Sequence, residues 1–279
     1  LNKVLSKVWL APTVAKIEIE APLTARKRLA GQFVILRVTE TGERIPITIA
    51  GSDPERGSIT LVVQQVGATT RDLCALEPGD FVRDLAGPLG KPTHIDKWGR
   101  VVCVAGGVGA AVVLPIAEAI HKAGNDLDVI LGARSEDLIV LEDELRAVCS
   151  RFWLTTDDGS RGEHGLVTMP LERLLKEGNV KQVIAAGPVP MMQAVCEVTR
   201  GYEVPTQVSL NPVMVDGTGM CGGCRVSVGG KTYYACVDGP EFDGHGVDFA
   251  ELRARLAMYR PQEGTVGARH CEKKMDPIT

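Results

Sequence analysis

The sequence predicts a β-barrel followed by an α/β domain with a parallel sheet, closed by a small cysteine-bearing C-terminal domain. Three observations predict it. The first ninety residues carry short apolar runs with the two-residue period of strands, parted by turn signals at regular spacing. From Arg100 onward strand-like and helix-like segments alternate, which implies parallel strands covered by helices on both faces. Near the end, Cys221, Cys224 and Cys236 fall among Gly217, Gly219, Gly222, Gly223, Gly229 and Gly230. A chain of 279 residues with 44% hydrophobic content is long enough to bury a core in each of two or three domains.

Taken in order, strands are expected over 13–20, 32–38, 44–50, 58–66 and 80–86, with one helix at 70–76. Glu40-Thr41-Gly42-Glu43, the run 52–57 and Glu77-Pro78-Gly79-Asp80 are the turns between them, and Gly87-Pro88-Leu89-Gly90 closes the barrel. The α/β part opens with a strand at 101–105 and a helix from about 110 to 123. It continues with a strand at 127–132, a helix over 141–150, a strand at 151–155, a helix at 170–177, a strand at 182–186 and a helix at 190–200. Residues 205–248 are glycine-rich, 249–259 reads as a closing helix, and the tail from Pro261 is polar. The segments implied are 1–98, 99–204, 205–260 and 261–279.

Charge narrows the function classes. With 31 Lys and Arg against 35 Asp and Glu, for a net of −4, the chain has no basic excess to draw it to a phosphate backbone, so no nucleic-acid partner is expected. The longest uncharged apolar stretch, 101–117, falls short of the roughly 20 residues a spanning helix needs and is interrupted by Gly106-Gly107-Val108-Gly109, so no membrane span is expected. Residues 1–7 lack the apolar core and small-residue cleavage site of a signal peptide. Cys74, Cys103, Cys149 and Cys196 are scattered singly, as reduced thiols are, and the cytoplasm is the expected compartment.

Four segments carry chemistry. Arg44 and Thr48 lie four residues apart on one expected strand, so both face one side and can hold a pyrophosphate; an exposed strand arginine beside a cross-strand threonine pair is the bland alternative. Gly67-Ala68-Thr69-Thr70 offers backbone N–H groups and hydroxyls at a helix start, a second anion site. The run Val101 to Gly109 is a buried strand delivering Gly106, Gly107, Val108 and Gly109 into a helix, where a cofactor phosphate can approach closely; a tight packing turn is the alternative. Gly187-Pro188-Val189-Pro190 repeats that arrangement. The most specific signal is Asp216-x4-Cys221-x2-Cys224-x11-Cys236, where thiolates two residues apart can share a metal centre and glycines free N–H groups to point at sulfur. An iron–sulfur cluster fits this spacing; a structural zinc would need a fourth ligand from Asp216, His245 or Cys271. His94, His121 and His164 read as solvated side chains.

The order of an Arg44-x-Pro46-Ile47-Thr48 strand, an Ala-Gly-Gly-Val-Gly loop, an Ala-Gly-Pro-Val-Pro-Met-Met segment and a cysteine cluster followed by Val237-Asp238-Gly239-Pro240 resembles the ferredoxin–NADP reductase superfamily. Within it the chain is similar to the electron-transfer subunits that include the iron–sulfur flavoprotein subunit of dihydroorotate dehydrogenase. Those relatives carry Cys-x4-Cys-x2-Cys-x11 to 15-Cys, and with Asp216 at the first position this chain resembles the small subunits of NADH-dependent ferredoxin–NADP oxidoreductases and the similar sulfide dehydrogenase beta subunits. The resemblance spans about 5 to 260. It implies an FAD-binding barrel, with the pyrophosphate on Arg44, Thr48 and the Gly67 to Thr70 turn that includes Thr69, and with Pro46, Ile47 and Gly87 as further cofactor-binding residues. It further implies an NAD(P)-binding α/β domain, with the nucleotide on the Gly106 to Gly109 loop, Arg134, Asp157, Gly187 and Pro188. The [2Fe-2S] cluster would be held by Asp216, Cys221, Cys224 and Cys236. No catalytic acid or base is implied. The partner implied is a larger iron–sulfur flavoprotein resembling the small subunit of glutamate synthase, with ferredoxin reached through an electron-bifurcating complex. Arg134 and Ser135 would suit the 2′-phosphate of NADP, but Glu136 and Asp137 follow at once and would repel it, so NAD(H) is the expected nucleotide and NADP(H) the alternative.

Overall fold

A computed structural model describes residues 1–258. The polar tail from 261, with His270 and Cys271, lies outside the described residues, as does residue 259 of the expected closing helix.

The barrel comprises β1 (Asn2–Ala11), β2 (Val14–Glu20), α1 (Pro22–Lys27), β3 (Phe33–Arg37), β4 (Ile45–Asp53), β5 (Ser58–Gln64), α2 (Ala68–Ala75), β6 (Phe81–Val82) and β7 (Asp84–Leu89). All its strand pairs are antiparallel, in the order β6-β1-β2-β5-β4-β3-β7. The two outermost strands, β6 and β7, are separated in sequence by Arg83 alone, so the sheet curls into a nearly closed barrel. Ile17 and Ile19, Val34 and Leu36, and Ile59 and Leu61 turn inward at the two-residue period and are buried. Each such side chain contributes about 1.5–3 kcal/mol.

Two barrel elements were not expected. β1 carries bulges between Val4 and Ser6 and between Trp9 and Ala11, and of its side chains only Val4 and Ala11 are buried, so no alternation survives in the sequence. The six-residue α1, started by Pro22, is too short to show a helical period. The expected strand at 80–86 is two strands, and the Gly87 to Leu89 part of the expected turn is the end of β7.

The second sheet is built from β8 (Arg100–Gly106), α3 (Ala110–Lys122), β9 (Asp126–Ala133), α4 (Glu142–Val148), β10 (Arg151–Thr156), β11 (Glu163–His164), α5 (Thr168–Glu177), β12 (Val180–Ala186), α6 (Val189–Arg200) and β13 (Thr206–Ser209). Its order is β11-β10-β9-β8-β12-β13, all parallel. Val101, Cys103 and Ala105 pack under α3, while Val102 and Val104 pack with Leu171 of α5 and Val195 of α6. Strands buried on both faces read as continuous apolar runs, which is why this sheet is visible in the sequence. Chain order reverses between β8 and β12, and such a switch point opens a ligand crevice at the strand C-termini.

The cysteine-bearing part adds the hairpin β14 (Arg225–Val228) and β15 (Lys231–Tyr234), then β16 (Glu241–Asp243) and α7 (Phe249–Ala257). β16 pairs antiparallel with β13, so the large sheet continues past residue 204. The Thr93 hydroxyl donates to Glu241 Oε1 at 2.7 Å across the seam with the barrel. Burial pushes the half-buried Glu241 carboxyl up to about 7, against the opposing pull of that hydrogen bond. The folded chain therefore holds a proton that the unfolded chain has lost between pH 4.5 and 7, and stability falls as pH rises through that window, then levels off. Glu241→Gln stays neutral and still accepts from Thr93. Relative to wild type it is expected to gain about 2–3 kcal/mol in urea unfolding between about pH 5 and about pH 8. An identical pH dependence in both proteins would show Glu241 ionised at no cost.

Candidate cofactor cleft and cluster loop

A cleft of about 970 Å³ lies between the barrel and the C-terminal edge of the parallel sheet. From the barrel side it is lined by Pro46, Ile47 and Thr48 of β4, by Val62 to Gln64 of β5 and by Thr70 of α2. From the sheet side it is lined by Gly106, Gly107, Val108, Gly109, Arg134, Asp157, Gly187 and Pro188. Its size is at the upper end for small-molecule sites.

The two glycine turns at the switch point touch. A Cβ on Gly109 would lie 2.2 Å from the Ala186 carbonyl oxygen, and one on Gly106 would lie 2.3 Å from Met191 Sδ. The β8 and β12 ends thus present bare backbone to the cleft. On the barrel side the Thr70 hydroxyl accepts from the N–H groups of Val66 and Gly67, at 3.0 and 2.9 Å, and donates to the Gly67 carbonyl. That single hydroxyl holds the α2 start in shape beside the cleft.

Four of the residues expected to bind cofactor lie off this lining. Arg44 is exposed one residue before β4, Gly67 caps α2, and Thr69 is buried in α2. Gly87 packs in β7, where a Cβ would stand 2.7 Å from Val34 Cγ1, and its carbonyl accepts from the Thr24 hydroxyl. At the end of β9, Ser135 donates its hydroxyl to Asp137, so Asp137 is engaged with serine and not with Arg134. The next turn is tied in by Ser160, which donates to Asp158 Oδ1 at 2.6 Å and accepts from the Glu136 N–H at 2.8 Å.

Sequence reasoning missed the inner end of the cleft: Ser209, Leu210, Asn211, Met214 and Pro240. These flank the cysteine segment; Ser209 to Met214 carry no motif, Pro240 ends the Val237-Asp238-Gly239-Pro240 string that gives no hint of a cleft, and the pairing of β13 with β16 draws Ser209 and Pro240 together there.

Beyond that end lies the cysteine loop. The Asp216 carboxylate accepts from the Thr218 N–H at 2.6 Å, the Thr218 hydroxyl at 3.1 Å and the Cys221 N–H at 2.9 Å. The Thr218 N–H and these companions hold its carboxyl below the usual carboxylate range. Cys224 and Cys236 are buried with their sulfurs 3.3 Å apart, and Cys221 is exposed on the same loop. Burial, reinforced by Cys224, pushes the Cys236 thiol up. Among the described residues no three His, Cys, Asp or Glu side chains close on one point, because Asp216 is turned to its own loop and Cys221 outward. The donor set nevertheless fits an iron–sulfur centre, with two sulfurs already side by side and a third thiol and an ionised carboxylate on one short loop. His245 does not fit a zinc site here, since its Nε2 is 2.9 Å from Thr199 Oγ1.

Barrel, nucleotide-type crevice and cysteine loop in this order define an electron-transfer reductase. The family model described as the iron–sulfur cluster binding domain of dihydroorotate dehydrogenase B matches residues 211–248, and the oxidoreductase NAD-binding domain matches 103–197. A Thermotoga maritima protein named as a homolog of the dihydroorotate dehydrogenase B (NAD(+)) electron transfer subunit is 46% identical over 263 residues, 94% of this chain and 93% of that one. A chain in a solved structure of an NADH-dependent reduced ferredoxin–NADP oxidoreductase, described in terms of flavin-based electron bifurcation, is 45% identical with a TM-score of 0.92, covering 96% of this chain and 97% of its own. The chain belongs to the dihydroorotate dehydrogenase B electron transfer subunit family, within the ferredoxin–NADP reductase type of fold. The resemblance read from its motifs therefore holds, and the chain is an NAD(P)H-dependent oxidoreductase subunit. Phthalate dioxygenase reductase, 18% identical with a TM-score of 0.60, shares the fold. Among the described residues no helix is long and apolar enough to cross a membrane.

Proposed function

We propose that this chain passes electrons between NAD(H) and a larger iron–sulfur flavoprotein through one FAD and one [2Fe-2S] cluster. The observation that carries the reading is that the cleft lining runs through Ser209, Leu210, Asn211 and Met214, two residues short of Asp216 and the cysteine loop. Bound there, FAD would supply a two-electron acceptor for hydride from the nicotinamide and a one-electron donor to a cluster that accepts one electron at a time.

The chain's own residues bind and orient. Thr48 and Thr70 line the cleft from the barrel, where Thr48 serves the flavin pyrophosphate and Thr70 shapes the α2 start for it through its own hydroxyl, with Arg44 as the exposed cation one residue before β4. Bare backbone at Gly106 to Gly109 and at Gly187 and Pro188 admits the nicotinamide nucleotide, while Arg134 and Asp157 meet its ribose end. Asp216, Cys221, Cys224 and Cys236 hold the cluster. No residue acts as a general acid or base, because hydride and electron transfer need position alone.

An exposed apolar group surrounds the loop: Met220 is 88% exposed, with Val215, Val237 and Tyr234 also open. Such a rim suits burial against another protein. The solved relative at 45% identity, described in terms of flavin-based electron bifurcation, supports a bifurcating complex; the motif resemblance adds a partner resembling the small subunit of glutamate synthase, with ferredoxin as a further electron carrier and the cytoplasm as the compartment. The name of the Thermotoga relative supports a second reading, delivery of electrons to a dihydroorotate dehydrogenase.

The test is purification with the partner retained. About one FAD and two irons per chain are expected, and higher diaphorase kcat/KM with NADH than with NADPH. A colourless protein holding zinc, or FMN in place of FAD, would overturn the cofactor reading. A preference for NADPH that Arg134→Ala removes would make Arg134 a phosphate ligand. A copurifying TIM-barrel flavoprotein would select the second reading.

A further inference from the structure

The cluster loop rests directly on the barrel at one glycine. Gly217 has φ +78°, and a Cβ there would stand 2.7 Å from Leu89 Cδ1 and 2.8 Å from Ile35 Cδ1, closer than side-chain carbons approach. Ile35 belongs to β3 and Leu89 to β7. Phe33 lies two residues before Ile35 on the same outward face of β3, since Val34 and Leu36 point into the barrel core while Phe33 and Ile35 do not. Phe33 lines the cofactor cleft and is the register partner of Leu89. The seat of the cluster loop is therefore about 7 Å of strand from the cleft wall.

We infer that Gly217 is the positioning residue that sets how closely the cluster approaches the flavin, because its missing side chain lets the ligand loop sit flush on Ile35 and Leu89. This rests on the functional reading above. The step it governs moves one electron from the reduced flavin to the oxidised cluster, where one ferric iron becomes ferrous. The partner flavoprotein takes that electron before the second follows. No bond forms or breaks in this step, so separation is the geometric variable left to the protein. A methyl at 217 lifts the loop from the barrel without touching a cysteine, the nicotinamide crevice or the Thr48 and Thr70 side of the cleft.

The experiment uses the complex with its copurified partner, reduced anaerobically by NADH. Flavin bleaching and cluster reduction are followed separately, the latter by freeze-quenched EPR. In Gly217→Ala the flavin phase is expected to stay within about twofold of wild type while the cluster phase slows about tenfold or more, with iron content kept. Leu89→Phe crowds the same seat from the barrel side with the loop sequence intact, and is expected to slow the same phase alone. Adding Leu89→Ala to Gly217→Ala removes the nearer methyl group and recovers part of the rate. If Gly217→Ala sheds its iron, Leu89→Phe decides. Slowing of both phases together, or an unslowed cluster phase in an iron-replete variant, would overturn the assignment and leave the functional reading standing. Lack of flavin or iron in the wild-type complex would overturn both.

Discussion

Asp216→Ala is expected to lose most of its iron on purification, while Asp216→Cys keeps a cluster whose reduction potential and EPR spectrum differ from wild type. Two contributions of the carboxylate add up in the alanine variant. One is the proposed ligation, where a hard oxygen donor would stand among three softer sulfurs. The other is loop closure, where the same carboxylate receives the N–H groups of Thr218 and Cys221 and the Thr218 hydroxyl. Alanine removes both. Cysteine restores a ligand and, through weak sulfur acceptance, part of the closure. Asp216→Asn separates the two, since its amide oxygen still accepts from the loop but is a neutral, poorer ligand; it is expected to retain fold and lose iron. Metal analysis with EPR on the three variants reads the outcome. Full iron and unchanged spectra throughout would remove Asp216 from the centre and leave it as the bracket of its loop.

The sequence showed the parts of this protein whose physics is local. Val101 to Ala105 and Val183 to Ala186 are buried from both sides, so their strands stand out as unbroken apolar runs, and each ends in a glycine turn that can be read as a crevice edge. The cysteine spacing was equally plain, because ligand residues must be specific in type and close in sequence. What stayed hidden depends on contacts between distant segments. β1 is held chiefly by backbone pairing to β2, with bulges that erase its pattern. β16 is three residues long and exists through its pairing with β13. That one pairing carries Ser209 and Pro240 to the cleft, so the inner wall could not be read from either segment alone. Arg44 illustrates the opposite limit: the four-residue offset from Thr48 is read on a strand that includes both, whereas β4 starts at Ile45, one residue after Arg44.

Gly109→Ala is expected to damage the nicotinamide side as severely as the aspartate variants damage the cluster. Gly109 has φ −58°, an ordinary helical value, so alanine meets no backbone strain there and in an open helix would gain about 0.5–1 kcal/mol. The surroundings reverse that sign. Its Cβ would lie 2.2 Å from the Ala186 oxygen, 2.7 Å from the Ala186 carbonyl carbon and 2.9 Å from Gly187 Cα, all backbone atoms at the end of β12 that no rotamer change can move aside. The β8 and β12 turns must separate, at a cost of about 1–3 kcal/mol, and the crevice that admits the nucleotide between them changes shape. The kcat/KM for NADH is expected to fall at least about tenfold, with iron content unchanged because the cluster loop is built elsewhere. A lowered Tm accompanies it. Wild-type kcat/KM together with wild-type Tm would mean that the two turns are free to part, and that their contact is not what shapes the nucleotide site.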